Sequence, residues 1–444
     1  MGESVIWGLR RLWDRPFSPV MTRCPRVPAH QVTTRNLGAA YPFIAEAGLG
    51  QRGVVIGDDL LGGTFVFDPF ELYAQGVVSN PNMVVFGQIG RGKSSFVKTF
   101  LWRQAVFGRR AWVVDPKGEY ADLAAAWGVR PVALRPGGAI RLNPLDPGPE
   151  HPGGATDGEG STARRQMELL TSLACACLGR PLQPRERAAL GAALASVVGS
   201  GVPTVPSVVE ALLQPEPESA ASLRTGLREL LEDGRDVALE LRRLVHGDLC
   251  GMFDGPTTPG LDLSAPLVVL DLSALYTSSA LGVLMACATA WLQATLARMS
   301  SRSEGGSQMF VVIDEAWALL SNLGVARWLQ SSWKLSRAFG VSNVAVLHRV
   351  SDLRAVGASD SEQVALAQGL LADSETRVVY AQAPGELAAA SDLLSLSSTE
   401  SELLTQLRRG VALWKVGQRS FLVQHRLSGL ERLMVDTDGA MGGR

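Results

Sequence analysis

Residues 82–95 read NMVVFGQIGRGKSS, a short apolar run that breaks into Gly87, Gly90 and Gly92 and then into Lys93 and Ser94. SSFVKTFLWRQAVF follows with helical spacing. A strand that feeds a glycine-rich turn and continues as a helix opens a βαβ unit. Such units build mostly parallel sheets with helices on both faces. The spacing Gly87-x-x-x-x-Gly92-Lys93-Ser94 is that of a phosphate loop, and strand before and helix after are the context it requires. Backbone N–H groups of such a loop converge on an anion at a helix N-terminus, where the dipole favours negative charge.

The alternation continues along the chain. AWVVD (111–115), a helix near ADLAAAW and PVAL (131–134) extend the series, and PLVVLDL (266–272), MFVVIDE (309–315), SNVAVL (342–347) and TRVVYA (376–381) resume it. GVALWKV and SFLVQHRL, joined through Gly417, Gln418 and Arg419, predict a closing β-hairpin. Between the two halves the composition changes. PGPEHPGGATDGEGS (147–161) is linker-like, and residues 162–249 carry amphipathic helical patterns such as PRERAALGAALASVVG. The expectation is an α/β protein with a mostly parallel sheet and an inserted all-α subdomain. Its parts are an irregular basic arm (1–50), a first core part (51–150), a helical insertion (151–262) and a second core part (263–444).

The 444 residues are 46% hydrophobic and 19% charged, which suits a globular chain with a well-buried core. The formal net charge of -1 excludes a generic polyanion binder, so any DNA contact would use a local patch or a pore. Cys24, Cys175, Cys177, Cys250 and Cys287 form no CxxC pair, and the histidines are dispersed. That argues against structural zinc and for a reducing compartment. Arg10, Arg11 and Arg15 follow a short apolar stretch instead of preceding a long one, unlike a signal peptide. Residues 279–297, SALGVLMACATAWLQATLA, are uncharged and long enough to span a membrane. Close flanking strand patterns, with Thr289, Gln293 and Thr295, favour a buried helix. The expected location is cytoplasmic, either free or peripheral at the inner face of the cell membrane.

The loop defines the chemistry. Gly87, Gln88, Ile89, Gly90, Arg91, Gly92, Lys93, Ser94 and Ser95 are the candidate nucleotide-binding set, for ATP with Mg²⁺. Lys93 would bridge the β- and γ-phosphates and Ser94 would offer its hydroxyl to the metal. MFVVIDEAW supplies the partner: Asp314 at a strand end to hold Mg²⁺ through water, and Glu315, on the other side, to polarise the attacking water. AWVVD, PVAL and PLVVLDL separate the two motifs. Switch GTPases carry a closer aspartate and an Asn-Lys-x-Asp reader. ABC transporters carry Leu-Ser-Gly-Gly before the second acidic motif, whereas LSGL (427–430) lies after it. RecA-like motor ATPases remain. Asp115, Lys117 and Glu119 lie on the nucleotide side, as a relay of nucleotide state or as a local salt-linked turn. Trp112, Trp291 and Trp317 read as core.

VVFGQIGRGKSS, VVDPKGEY (113–120), RLNPLD (141–146), GMFDGPTT (251–258), VVIDEAW (311–317), RAFGVSNVAVLHRVSDL (337–353) and RRGVALWKVGQRSF together resemble the HerA–FtsK superfamily. Within it they resemble the conjugative ATPases that power type IV secretion, the VirB-type and TraC-like energisers. The resemblance implies a RecA-like (ASCE) P-loop domain and an ATPase coupled to translocation in conjugation and DNA transfer. It also implies a homo-hexameric ring with ATP between subunits, partnered by membrane components of the apparatus, and no haem, flavin or zinc. Arg337 sits where the superfamily carries a cation that reaches into the neighbouring subunit's site, with Arg377 as a second candidate. His348 stands where the family commonly has a glutamine that senses the γ-phosphate. Imidazole charge varies near neutral pH, so turnover is expected to fall on one side of pH 7 relative to His348→Gln. Two other functions stay open: a DNA translocase or helicase with DNA in the ring pore, and an ATP-binding assembly scaffold with little turnover. Glu315 argues against the scaffold.

Overall fold

The computed structural model describes residues 48–146, 157–247, 250–261, 265–276, 281–300, 308–320, 340–348 and 368–435, with Ala326, Leu329, Gln330, Trp333 and Lys334. The basic arm (1–47) and the linker residues 147–156 lie outside the described residues.

Among the described residues eleven strands form one sheet. They are β1 (Val54–Asp59), β2 (Thr64–Phe67), β3 (Met83–Phe86), β4 (Arg110–Asp115), β5 (Val132–Ala133), β6 (Leu267–Asp271), β7 (Met309–Ile313), β8 (Val341–Leu347), β9 (Thr376–Val379), β10 (Val411–Val416) and β11 (Arg419–His425). Their order is β2-β1-β11-β10-β9-β3-β8-β7-β4-β6-β5. From β9 to β5 all neighbours are parallel; from β2 to β9 all are antiparallel. This is a RecA-like P-loop fold with a mixed sheet, mostly parallel at its centre. The closing hairpin β10–β11 turns tightly at Gly417, whose φ of 57° lies in the left-handed region.

The helices are α1 (Pro69–Ala74), α2 (Lys93–Gln104), α3 (Ala121–Ala126), α4 (Asp157–Leu178), α5 (Pro184–Ser200), α6 (Val205–Leu213), α7 (Pro217–Ser222), α8 (Leu227–His246), α9 (Leu281–Ser300), α10 (Trp317–Leu320), α11 (Leu387–Leu394), α12 (Ser398–Gln406) and α13 (Gly429–Val435). The central strands bury both faces, and successive residues alternate between two cores. Val84, Phe86, Trp112 and Val114 join the apolar cluster formed with α4–α9, whereas Met83, Val85, Ala111 and Val113 join one formed with α2 and α3. The helices between β5 and β6 therefore share one continuous core with the sheet.

Helix α4 begins at Asp157, inside the stretch read as linker. Glycine content alone therefore misplaces this boundary. The uncharged 281–292 stretch is the first part of α9. From Leu284 to Leu292 every residue is buried, and Trp291 stacks on Trp112 with centroids 6.3 Å apart. Among the described residues no single helix is long and apolar enough to cross a membrane.

RLNPLD and GMFDGPTT form one staple. The Asn143 amide donates to Asp146 Oδ1 at 3.0 Å and to the Pro203 carbonyl at 2.9 Å, and its oxygen accepts from Leu145 N at 3.1 Å. Thr257 Oγ1 donates to Asp146 Oδ2 at 2.6 Å and accepts from the Trp291 indole at 3.1 Å. Asn143 is fully buried. Asn143→Ala strands these partners and is expected to lower unfolding free energy by about 2–3 kcal/mol in urea titration, with nucleotide affinity unchanged.

At the far end of α2, His425 Nε2 lies 2.9 Å from Thr99 Oγ1. Burial, then the nearby Arg103 charge, lower the His425 pKa from 6.5 to about 4, against the opposite pull of Glu431. The unfolded chain thus takes this proton at a higher pH than the folded one. Stability is full above about 6.5 and is lost as pH falls towards about 4. His425→Asn should flatten this part of the melting temperature–pH profile, measured by calorimetry.

Candidate active site at the strand ends

The carboxyl ends of β3, β8, β7 and β4 adjoin in that order, so one strand separates the loop strand from the Asp-Glu strand in space. Phe86 pairs with Leu347 and Ile313 with Ala345 and Val114. That register brings Lys93, His348, Asp314, Glu315 and Lys117 to one edge.

The loop owes its shape to glycine. Gly87, Gly90 and Gly92 have φ of 154°, 76° and 110°. A Cβ on Gly87 would stand 2.5 Å from the Tyr380 Cβ, so the loop can lie against β9 only without a side chain there. The Gln88 N–H donates to the Ala381 carbonyl at 3.2 Å, and Gly410 N–H to the Arg91 carbonyl at 3.0 Å. Arg91 in turn donates through Nε and Nη2 to Gln88 Oε1. Ile89 and Gly90 are exposed, and Ser94 and Ser95 half-buried.

Lys93 is buried and folds back over the loop, donating to the carbonyls of Gly87 and Gln88, the latter at 3.0 Å. It also approaches His348 Nδ1 at 3.2 Å. Burial lowers its pKa to about 8, with Asp314 and Glu315 limiting the fall. His348 Nε2 lies 2.5 Å from Glu315 Oε1. An acceptor at Nδ1 and a donor at Nε2 describe the Nε2–H tautomer.

Glu315 is held from every side. Its Oε1 accepts from Lys117 Nζ as well as His348, and its Oε2 accepts from the Trp317 indole at 2.5 Å. Only 1% of its side chain is exposed, and its φ of 53° is a left-handed conformation uncommon outside glycine. Burial alone would raise its pKa, but the hydrogen bonds from His348 and Lys117 outweigh that and leave it at about 2. Asp314 goes the other way. Burial, then the charges of Glu315, Glu119 and Asp115, raise it to about 7. A buried carboxyl group amid like charges is one that a cation would neutralise, so Asp314, with the Ser94 hydroxyl in the first turn of α2, suits the donor set of a hydrated Mg²⁺ beside phosphates.

Asp115 forms a turn. Its Oδ1 accepts from the N–H groups of Lys117 and Gly118 at 3.1 and 2.9 Å, and its Oδ2 accepts from Tyr120 N at 2.9 Å. Trp317, read as core, packs half-buried against the α4–α9 core and in addition spends its indole N–H on Glu315, as a desolvated carboxylate needs donors. Trp112 and Trp291 are core. Arg377, the second candidate, pairs with Val84 on β3 and donates to the carbonyls of Ser374 and Leu371. Arg337 lies outside the described residues.

Fold and loop define the RecA-like class of P-loop proteins. The structure is similar to that of VirB4 of Thermoanaerobacter pseudethanolicus, with TM-score 0.70 and 22% identity over 87% of this chain and 100% of that one. It is also similar to the bacterial conjugative coupling protein TrwB, unbound (TM-score 0.55, 16% identity, 86% of this chain and 90% of that one). For TrwB in complex with ADP and Mg²⁺ the TM-score is 0.56 at 16% identity, over 86% of this chain and 91% of that one. No family model matches the chain, and no curated protein does.

Gly87→Ala forces the loop off Tyr380. Equilibrium dialysis with ADP should show at least about a tenfold loss of affinity, or roughly 1.4 kcal/mol, with the chain still folded by circular dichroism.

Proposed function

We propose that the chain is an ATP-hydrolysing motor subunit that energises conjugative transfer or type IV secretion, as a homo-hexameric ring with ATP between subunits. The observation that carries this reading is the meeting of Lys93, His348, Asp314 and Glu315 on adjoining strand ends, in a fold shared with VirB4.

The loop N–H groups and Lys93 bind the phosphates. Ser94 and Asp314 would hold Mg²⁺, which when bound neutralises phosphate charge; the TrwB structure with ADP and Mg²⁺ supports a nucleotide with Mg²⁺ as the ligand. Glu315 orients the attacking water by accepting a hydrogen bond from it. With a pKa of about 2 its contribution is direction and field more than proton affinity. His348 touches Lys93 and Glu315 together and so links the phosphate end to the base. Arg337 is the proposed cation that enters the neighbouring subunit's site. Membrane components of the secretion apparatus are the proposed partners, reached from the cytoplasmic side.

Likeness to TrwB favours a second reading, a translocase with DNA in the pore. The net charge of -1 weighs against a broad DNA-tracking groove.

The test is steady-state ATP hydrolysis against protein concentration, with and without single- and double-stranded DNA, beside Glu315→Gln. Turnover per subunit should rise with concentration and fall at least about a hundredfold in the variant, with ATP still bound. DNA-indifferent turnover supports the secretion energiser, and strong DNA stimulation supports the translocase. Bound ATP without turnover at any concentration would overturn the motor in favour of a scaffold.

A further inference from the structure

We infer that Lys117 is a positioning residue for the Glu315 carboxylate, and that the DPKGEY turn is built to hold it there; this rests on the reading of Glu315 as the residue that orients water. The turn has no other evident task. The Asp115 carboxylate collects the N–H groups of Lys117, Gly118 and Tyr120, which fixes the Lys117 main chain just past β4. Gly118, at φ 73°, supplies the left-handed step, and the fully buried Tyr120 ring anchors the far side.

From that platform Lys117 reaches across strand ends. Its Nζ binds Glu315 Oε1 beyond β7, lies 3.2 Å from His348 Nε2 beyond β8, and sits 5.6 Å from the centre of the Tyr276 ring beyond β6. It therefore touches groups from three other strand ends.

Glu315 has need of such a hold. Its backbone sits in the left-handed region, and a carboxylate can rotate about its side-chain bonds. Trp317 fixes one oxygen; Lys117 and His348 share the other. With Lys117 removed, Oε1 keeps the single imidazole donor, and the carboxylate loses one of its three donors. Lys117 is also badly placed to be a phosphate ligand. Lys93 already covers the loop, and the ammonium of Lys117 is committed to Glu315. An angular misplacement of a water-orienting group costs turnover while leaving nucleotide binding in place.

The experiment compares Lys117→Met and Lys117→Arg with the parent chain. Its readouts are fluorescent-ADP affinity, kcat and KM for ATP, and the ¹⁹F spectrum of 5-fluorotryptophan protein with the Trp317 line assigned by Trp317→Phe. Lys117→Met should keep ADP affinity within about threefold and KM likewise, lower kcat by about a hundredfold, and move the Trp317 line. Lys117→Arg should restore part of kcat and return the line towards its parent position. An unmoved Trp317 line, an unchanged kcat, or a tenfold loss of ADP affinity would overturn the inference, the last by making Lys117 a phosphate ligand. A parent chain without ATP turnover would count against the motor reading alone, and the Trp317 line would then decide whether Lys117 holds Glu315.

Discussion

A carboxylate with 1% of its side chain exposed is tolerated only when its lone pairs are met by donors, and Glu315 meets three. The donors come from three places in the chain: the turn after β4, the end of β8 and the first turn of α10. They converge only if β4, β7 and β8 are neighbours with their carboxyl ends at one edge, which is what a parallel sheet in this order provides. Removing one donor from such a buried ion pair typically costs about 3–5 kcal/mol, so the site and the strand order hold each other in place. The adjacent acids are driven apart by the same arrangement. Lys117 and His348 are spent on Glu315, which falls to about 2 despite its burial, while Asp314, raised by burial first and by the charges of Glu315, Glu119 and Asp115 next, reaches about 7. Two neighbouring residues of one type thereby become suited to different tasks, one to stay ionised and the other to take a cation.

The helices between β5 and β6 answer a separate demand. A parallel sheet must be covered on both faces, and one face of this one receives α4–α9. Helices packed on a sheet through apolar contacts alone are free to slide, so direction has to come from polar groups. Asn143, Asp146 and Thr257 provide it, tying two chain segments to Trp291 of α9 and to the Pro203 carbonyl ahead of α6. RLNPLD and GMFDGPTT are therefore distinctive in sequence because buried polar networks tolerate few alternatives, and no nucleotide contact is needed to explain them.

The phosphate loop was legible because its constraints are local: three glycines at positive φ, a strand before and a helix after. The Asp-Glu pair was legible because a fully apolar run leaves little doubt where the strand ends. Nothing local says that β8 inserts between β3 and β7, or that the chain before the loop adds β1 and β2 beyond the closing hairpin. Those are pairing choices between distant segments. The polar contact of Trp317 was missed for a related reason. In a strand–turn–helix pattern an indole counts as apolar, and only the partner, Glu315, reveals that its N–H is the part in use. Lys117 stood out in the sequence, yet its target lies 198 residues further on, out of reach of any spacing argument.

His348 replaces an amide that the resemblance leads one to expect, and the hydrogen-bond polarity at this point explains why the change is tolerable. A glutamine between Lys93 and Glu315 would turn its carbonyl oxygen towards the ammonium and its NH₂ towards the carboxylate. The Nε2–H tautomer of imidazole does the same, accepting at Nδ1 from Lys93 and donating at Nε2 to Glu315. The ring nitrogens are held in a rigid plane, whereas an amide on a flexible stem must lose rotamer freedom to make both contacts. A histidine here thus preserves the sense of the link between Lys93 and Glu315 while stiffening it. The same stiffness makes the link depend on ring orientation, which is set by the Glu315 carboxylate that Lys117 also binds.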